Sequence, residues 1–118
     1  RELLERQFNS YSMVYKKNNE EFGGRDSTEL IIPYPTLSRP IVSRNMPYLS
    51  SYLSLTDGIL SMDTYLDEVD DQPTIRIRYV PSVISEEALW QVLQKETWQV
   101  KMKDGSINEV EARMKFDR

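Results

Sequence analysis

The sequence predicts an α+β fold, with an antiparallel sheet that carries helices on one face, and three stretches carry this prediction. Residues 74–80 alternate apolar and polar side chains, which is typical of a strand with one buried face. Ser85 then has the position of a helix N-cap, and residues 86–95 place their apolar side chains on one stripe. Residues 98–116 contain two alternating runs around an Asp-Gly pair, which predicts a β-hairpin with a tight turn.

The N-terminal part of the chain predicts an amphipathic helix over residues 1–24. Four apolar or aromatic side chains recur there at helical spacing: Leu4, Phe8, Tyr11 and Tyr15. The glycine pair at residues 23 and 24 is a pattern that ends helices. We expect this helix to pack on the sheet, with a connector or a dimer contact as the alternative. Residues 25–118 are then predicted to form a single domain, since 118 residues suffice for one core.

The middle of the chain predicts two strands and one helix. Residues 29–32 favour a short strand, and the prolines that follow it restrict that strand to the edge of a sheet. Pro47 is typical of the first turn of a helix, which would begin near Asn45. Residues 59–66 predict the next strand, which a turn rich in carboxylates connects to the strand over residues 74–80.

After the first helix, these elements follow the order βαββαβ with one added strand, which is the ferredoxin-like arrangement. The chain also resembles the heavy-metal-associated domains of the copper-chaperone type. The resemblance rests on fold-determining residues at comparable places: Gly58, Ile59, Pro81, Ile84, Ser85, Glu87 and Leu89. The Cys-x-x-Cys of that family would fall at residues 42–45, which read Val-Ser-Arg-Asn. The resemblance therefore implies a relative that has lost the site for a soft metal ion.

Composition excludes several classes of function. The chain has no cysteine and no histidine, which removes thiolate nucleophiles, Cys/His zinc sites and imidazole acid–base chemistry. The net charge of −4 argues against a general nucleic-acid binder. No apolar run has the length of a spanning helix, so we expect no membrane insertion by this segment. We predict no cofactor and no metal, and we expect Met102 and Met114 to pack in the core rather than to bind copper.

Two places are candidate sites. Arg39, Arg44 and Asn45 precede the predicted second helix, where positive charge and free backbone N–H groups favour a small anion or an amino acid. The same loop resembles the loop arginine and asparagine of acylphosphatase, so a hydrolase is a further alternative. Trp90 lies beside the polar side of its helix, and we expect it to be partly exposed as a contact residue.

Taken together, the sequence favours a non-catalytic binding or accessory domain. We expect it to contact a protein partner, or the rest of a multidomain parent, through an exposed sheet surface or a strand edge. The alternatives are a sensor of anions or amino acids and, less favoured, an acylphosphatase-like hydrolase, both using the loop of residues 39–45.

Overall fold

The computed structural model describes residues 11–33, 39–69, 71–114 and 116, and for residues 39–44 it describes the backbone alone. The described residues form three helices and six strands, arranged as an α+β fold with two antiparallel sheets. In chain order these are β1 (Ser12–Val14), α1 (Lys16–Phe22), β2 (Thr28–Pro33), α2 (Arg39–Ser54), β3 (Ile59–Leu66), β4 (Pro73–Tyr79), α3 (Glu86–Leu93), β5 (Thr97–Lys101) and β6 (Ile107–Glu111).

The larger sheet has the strand order β1-β3-β4-β2, and every neighbouring pair is antiparallel. Its alternation is the one that the sequence predicts, because apolar side chains of β2, β3 and β4 are buried on one face. The opposite face carries charged side chains, with Arg76 placed beside Asp63 and Arg78 beside Glu29. The prediction of β4 as an inner strand is therefore confirmed.

The smaller sheet is the predicted hairpin of β5 and β6, in which Trp98 lies opposite Val110. Its turn differs from the two-residue type that the Asp-Gly pair predicts. The backbone N–H of Met102 donates to the carbonyl of Ser106 at 2.8 Å, which leaves a three-residue loop with Gly105 at φ +89°. That is the three-residue hairpin loop in which glycine takes the left-handed position.

Helix α3 forms where the sequence predicts it, whereas α2 begins earlier. The Ser85 hydroxyl accepts a hydrogen bond from the Ala88 N–H at 3.1 Å, as an N-cap does. Helix α2 starts at Arg39, and Pro47, predicted in its first turn, lies inside it. A proline has a φ compatible with the helix but interrupts its hydrogen bonding. The complete burial of Leu49 and Leu53 on the following turns provides stabilisation that offsets this loss.

The prediction of a helix over residues 1–24 is only partly right in the described part of that segment, because a helix covers Lys16–Phe22 but not residues 12–14. Residues 12–14 form strand β1, in which Met13 lies opposite Met62 of β3, and the helix begins only at Lys16. A spacing of four residues, as between Tyr11 and Tyr15, puts two side chains on one face of either a helix or a strand. Residues 12–14 form a strand because they pair with β3. Residues 1–10 lie outside the described residues.

The ferredoxin-like arrangement is not confirmed. In that arrangement the last strand would join the large sheet beside β2, whereas β5 pairs with β6 in a sheet of its own. The fourth strand of the large sheet is instead β1, which lies at the opposite edge, beside β3.

One cluster of buried side chains joins the two sheets and the helices. It includes Met62 and Ile77 from the large sheet, Leu53 from α2, Leu89 from α3 and Trp98 from the hairpin. Met114 is also buried there, as predicted, although β6 has already ended at Glu111. Across the described parts of the chain, no helix is both long enough and apolar enough to cross a membrane.

Candidate functional site

An open groove of about 340 Å³ lies beside the edge strand β1. We call it the β1 groove, and three parts of the chain line it: Tyr11, Met13 and Tyr15 from β1 and its flanks; Pro47, Ser50, Ser51 and Ser54 from α2; and Lys101, Met102 and Lys103 from the end of β5 and the hairpin turn. The groove is thus formed by segments that are far apart in sequence.

Local periodicity places each group of side chains in the groove. Residues 11, 13 and 15 alternate along an extended segment, so they share the face of the sheet that carries Met62. Residues 47, 50, 51 and 54 recur at intervals of three and four, so they form one stripe of α2. Because this stripe consists of serines and a proline, its short side chains leave space between α2 and β1.

The serine hydroxyls of the groove already have partners. Ser50 Oγ lies 3.2 Å from Tyr15 Oη, and Ser54 Oγ donates to the carbonyl of Ser51 at 2.6 Å. Ser51 Oγ accepts from the backbone N–H of Lys101 at 2.8 Å, which connects α2 to the hairpin. These hydroxyls hold the walls of the groove together.

The described side chains that line the groove offer apolar contacts and hydrogen-bonding groups. A serine nucleophile needs an adjacent base, and the described lining residues include neither a carboxylate nor an imidazole. Burial raises the pKa of the Tyr15 hydroxyl well above its usual value, although the hydrogen bond with Ser50 opposes this shift. Tyr15 therefore stays neutral at physiological pH and acts there as a hydrogen-bonding group.

The outer edge of β1 presents backbone groups that no described strand pairs with. Tyr15 donates its N–H to the carbonyl of Leu60, and the carbonyl of Tyr11 accepts from the N–H of Thr64, so both residues bond to β3. In an antiparallel pair such residues alternate, so the N–H and C=O groups of Ser12 and Val14 point away from β3. Within the part of the chain that the structure describes, no strand pairs with this edge.

Exposed apolar side chains accompany this edge. Met13 is 45% exposed and Met102 is 39% exposed, and both line the groove. Val14 is 68% exposed on the other face of β1. The prediction that Met102 packs in the core is wrong, because β5 ends at Lys101 and the hairpin turn carries Met102 to the rim.

The charge of the groove differs from that of the whole chain. Two lysines, Lys101 and Lys103, lie on its rim, and neither forms an ion pair with any described residue. The neighbouring Asp104 is used within the turn, where its carboxylate accepts from the N–H and the hydroxyl of Ser106. Those hydrogen bonds lower the pKa of Asp104. The rim is therefore a local basic surface on a chain of net charge −4.

The outer face of the large sheet offers less to a partner. Arg76 forms a two-point contact with Asp63, at 3.0 and 2.7 Å, and Arg78 contacts Glu29 at 2.9 Å. These charges already satisfy each other across the strands. A partner on this face would have to displace those pairs, so the groove is the better candidate surface.

The structure does not bring the residues predicted as an anion site into a loop. Residues 39–45 form the first turns of α2, and Asn45 is buried. The side chains of Arg39 and Arg44 lie outside the described residues. The sensor and hydrolase alternatives both required a loop at residues 39–45, and the backbone there is helical instead. Ligand binding by these three residues stays a prediction.

Trp90 is less exposed than predicted. It is 7% exposed and belongs to the buried cluster, because it packs with Leu89 and Leu93 on the inner side of α3. It offers little surface to a partner in this conformation. A role for Trp90 in binding stays a prediction.

Comparison with protein-family models, with curated proteins and with solved structures finds no match to this chain. Among the residues that the structure describes, no group of three or more carboxylates is placed to hold a metal ion. The fold and the groove define the class: a small α+β protein with an open strand edge beside a basic, partly apolar groove.

The hydrogen bond between Ser51 and Lys101 gives a first prediction. We expect Ser51→Ala to lower the free energy of unfolding by about 0.5–1 kcal/mol, because the Lys101 N–H loses its acceptor. Ser54→Ala is the matched control, since the Ser54 hydroxyl donates only to a carbonyl of its own helix. Urea unfolding followed by tryptophan fluorescence measures both. Equal losses in the two variants would contradict the assignment.

Proposed function

We propose that this protein is a non-catalytic binding domain that recognises a polypeptide partner at the outer edge of β1 and in the β1 groove. One observation carries the proposal: the backbone groups of Ser12 and Val14 point outward at an edge that borders an open groove. An exposed edge of this kind is a template for a further strand, which is a common mode of peptide recognition.

The side chains around the edge support the same function. Main-chain hydrogen bonds supply affinity in strand addition, and pockets for alternate side chains supply specificity. Met13 and Met102 provide such a surface, since methionine adapts its shape to different partners. The hydroxyls that hold the groove walls keep α2 and the hairpin in place before a partner binds.

The proposed surface does not depend on the predicted family resemblance or on the predicted fold topology. The resemblance to heavy-metal-associated domains and the complete ferredoxin-like arrangement stay predictions, and the proposed surface is built on β1, which neither of them includes. The sensor and hydrolase alternatives have less support, because residues 39–45 are helical rather than a loop.

Site-specific cross-linking tests this function. We place a photoreactive phenylalanine analogue at Met13 and, as a control, at Val69, which is almost fully exposed in the turn after β3. We expect discrete cross-links to a polypeptide at Met13 and not at Val69 in an extract of the cells that make the protein. Mass spectrometry identifies the cross-linked peptide.

A second variant ties the cross-link to the strand edge. Val14→Pro removes an outward N–H and leaves the bonds of Tyr11 and Tyr15 to β3 intact. Val14→Thr keeps that N–H in a β-branched residue of similar shape and is the matched control. We expect the proline variant to lose the Met13 cross-link and the threonine variant to keep it. Equal cross-linking at Met13 and Val69, or a cross-link unchanged by proline, would count against the proposal.

A further inference from the structure

We infer that the partner of the β1 groove is an extended acidic segment, which adds to β1 as a fifth strand of the large sheet and pairs its carboxylates with Lys101 and Lys103. The inference rests on the proposed function and assigns the chemistry of the partner. Three observations carry it: the outward backbone groups of β1, the two rim lysines, which form no ion pair with any described residue, and the lack of a carboxylate among the described lining residues.

The geometry of an added strand sets which side chains enter the groove. Successive side chains of a strand point to opposite faces of the sheet, so every second residue of the partner faces α2 and the hairpin. The aliphatic parts of those partner side chains contact Met13 and Met102, and their ends lie near the two lysines. A glutamate suits this surface, because its methylene groups pack on the methionines and its carboxylate reaches a lysine.

The remaining residues of the partner lie on the opposite face, beside Val14. That side chain is largely exposed, and apolar or β-branched neighbours on an adjacent strand would cover it. The partner is therefore a segment in which acidic and β-branched residues alternate. Its main-chain hydrogen bonds go to Ser12 and Val14.

Charge argues against a second copy of this chain as the occupant. A symmetric dimer formed through β1 would use the same surface on both subunits, so each rim would approach its own copy. Lys101 and Lys103 of one subunit would then lie near those of the other, along with the exposed Lys16 that follows β1. Like charges in such an interface are unfavourable, whereas an acidic segment neutralises them.

Three short blocked peptides of one design test the inference. In the first, glutamate alternates with valine; in the second and third, glutamine and lysine replace glutamate. Each is titrated into the whole protein labelled with ¹⁵N, at low and at moderate salt. We expect the glutamate peptide to shift the amides of residues 12–14 and Lys101, and to bind about tenfold more tightly than the glutamine peptide at low salt. Moderate salt reduces this difference.

Charge variants provide the matched control. Lys101→Glu is expected to weaken binding of the glutamate peptide, and the double variant Lys101→Glu/Lys103→Glu to favour the lysine peptide instead. Lys95→Glu makes the same change of net charge at an exposed position outside the groove, and it should leave the peptide preference unchanged.

The outcomes separate this inference from the proposed function. If the glutamine peptide binds at β1 as tightly as the glutamate peptide, the acidic partner is wrong and the binding edge stands. If no peptide shifts residues 12–14, strand addition is wrong, and the cross-linking at Met13 then decides the proposed function independently. If self-association of the protein broadened the amide resonances of the same residues, the occupant of the groove would be a second copy and the acidic segment would be wrong.

Discussion

Asn18→Asp is expected to cost about 3–5 kcal/mol of folding free energy at neutral pH, enough to unfold much of a protein of this size. The buried Asn18 amide nitrogen donates to the carbonyl of Ile59 at 2.8 Å and to that of Thr56 at 3.0 Å, with the carbonyl of Ser54 at 3.5 Å. This side chain connects α1 to the turn between α2 and β3. An ionised carboxylate at the same place has no hydrogen to donate, and the oxygen that replaces the amide nitrogen faces these carbonyl oxygens.

The loss should depend on pH. Burial and the neighbouring carbonyls disfavour the charged carboxyl, so its pKa in the folded variant rises above its unfolded value. The protonated form can donate one hydrogen bond, so the penalty is smallest below the unfolded pKa and grows as pH rises through the folded pKa. Thermal unfolding across acidic and neutral pH measures this trend relative to the unsubstituted chain.

Asn108→Asp is the control for the same chemical change at an exposed position of β6. We expect a change of less than about 0.5 kcal/mol there, because solvent satisfies the new carboxylate. If Asn18→Asp unfolded at nearly the same temperature as Asn108→Asp, the assigned role of Asn18 would be wrong.

Gly58→Ala is expected to cost about 2–5 kcal/mol. Gly58 has φ +91°, where a residue with a side chain loses roughly 1–2 kcal/mol. An added Cβ would also lie 2.9 Å from Ile84 Cγ2 and 3.0 Å from Val83 Cβ, so side chains before α3 would have to move. That overpacking adds about 1–3 kcal/mol.

The hairpin turn offers a control with nearly the same φ angle. Gly105 has φ +89°, and a Cβ there meets nothing within 4 Å. Gly105→Ala should therefore show the backbone cost alone, about 1–2 kcal/mol. Denaturant unfolding of both variants separates the two contributions. Equal losses would mean that the contact with Val83 and Ile84 is relieved at no cost.

Elements with a strong local pattern could be predicted from the sequence. Strand β3 has the predicted bounds, β4 and β2 agree to within a residue or two, and α3 begins after the predicted cap Ser85. In these segments the alternation, the prolines and the cap all favour the same structure, so tertiary contacts reinforce the local preference. The hairpin itself is confirmed, but its second strand covers residues 107–111 rather than the predicted 110–116, and its loop has three residues rather than two.

The proposed binding surface could not be predicted in this way. Tyr11, Met13 and Tyr15 do alternate, and this was the available signal for β1, but the same segment also fits a helix. The backbone of residues 12–14 becomes a strand because it pairs with residues 61–63, about fifty positions away in the chain. Met102 lies in an alternating run that predicts burial, and only the end of β5 at Lys101 exposes it.

The sequence by itself determined the class of the fold, the inner strand β4, the helix α3, the hairpin and the lack of thiol and imidazole chemistry. Those properties depend on residue types and on spacings within a few turns or strand repeats. The tertiary structure alone decided that β1 belongs to the large sheet, that β5 pairs with β6 outside that sheet, and that the serine stripe of α2 faces Lys101. These three arrangements depend on hydrogen bonds and packing between segments that are distant in the sequence. Local periodicity carries no information about the free energy of such contacts.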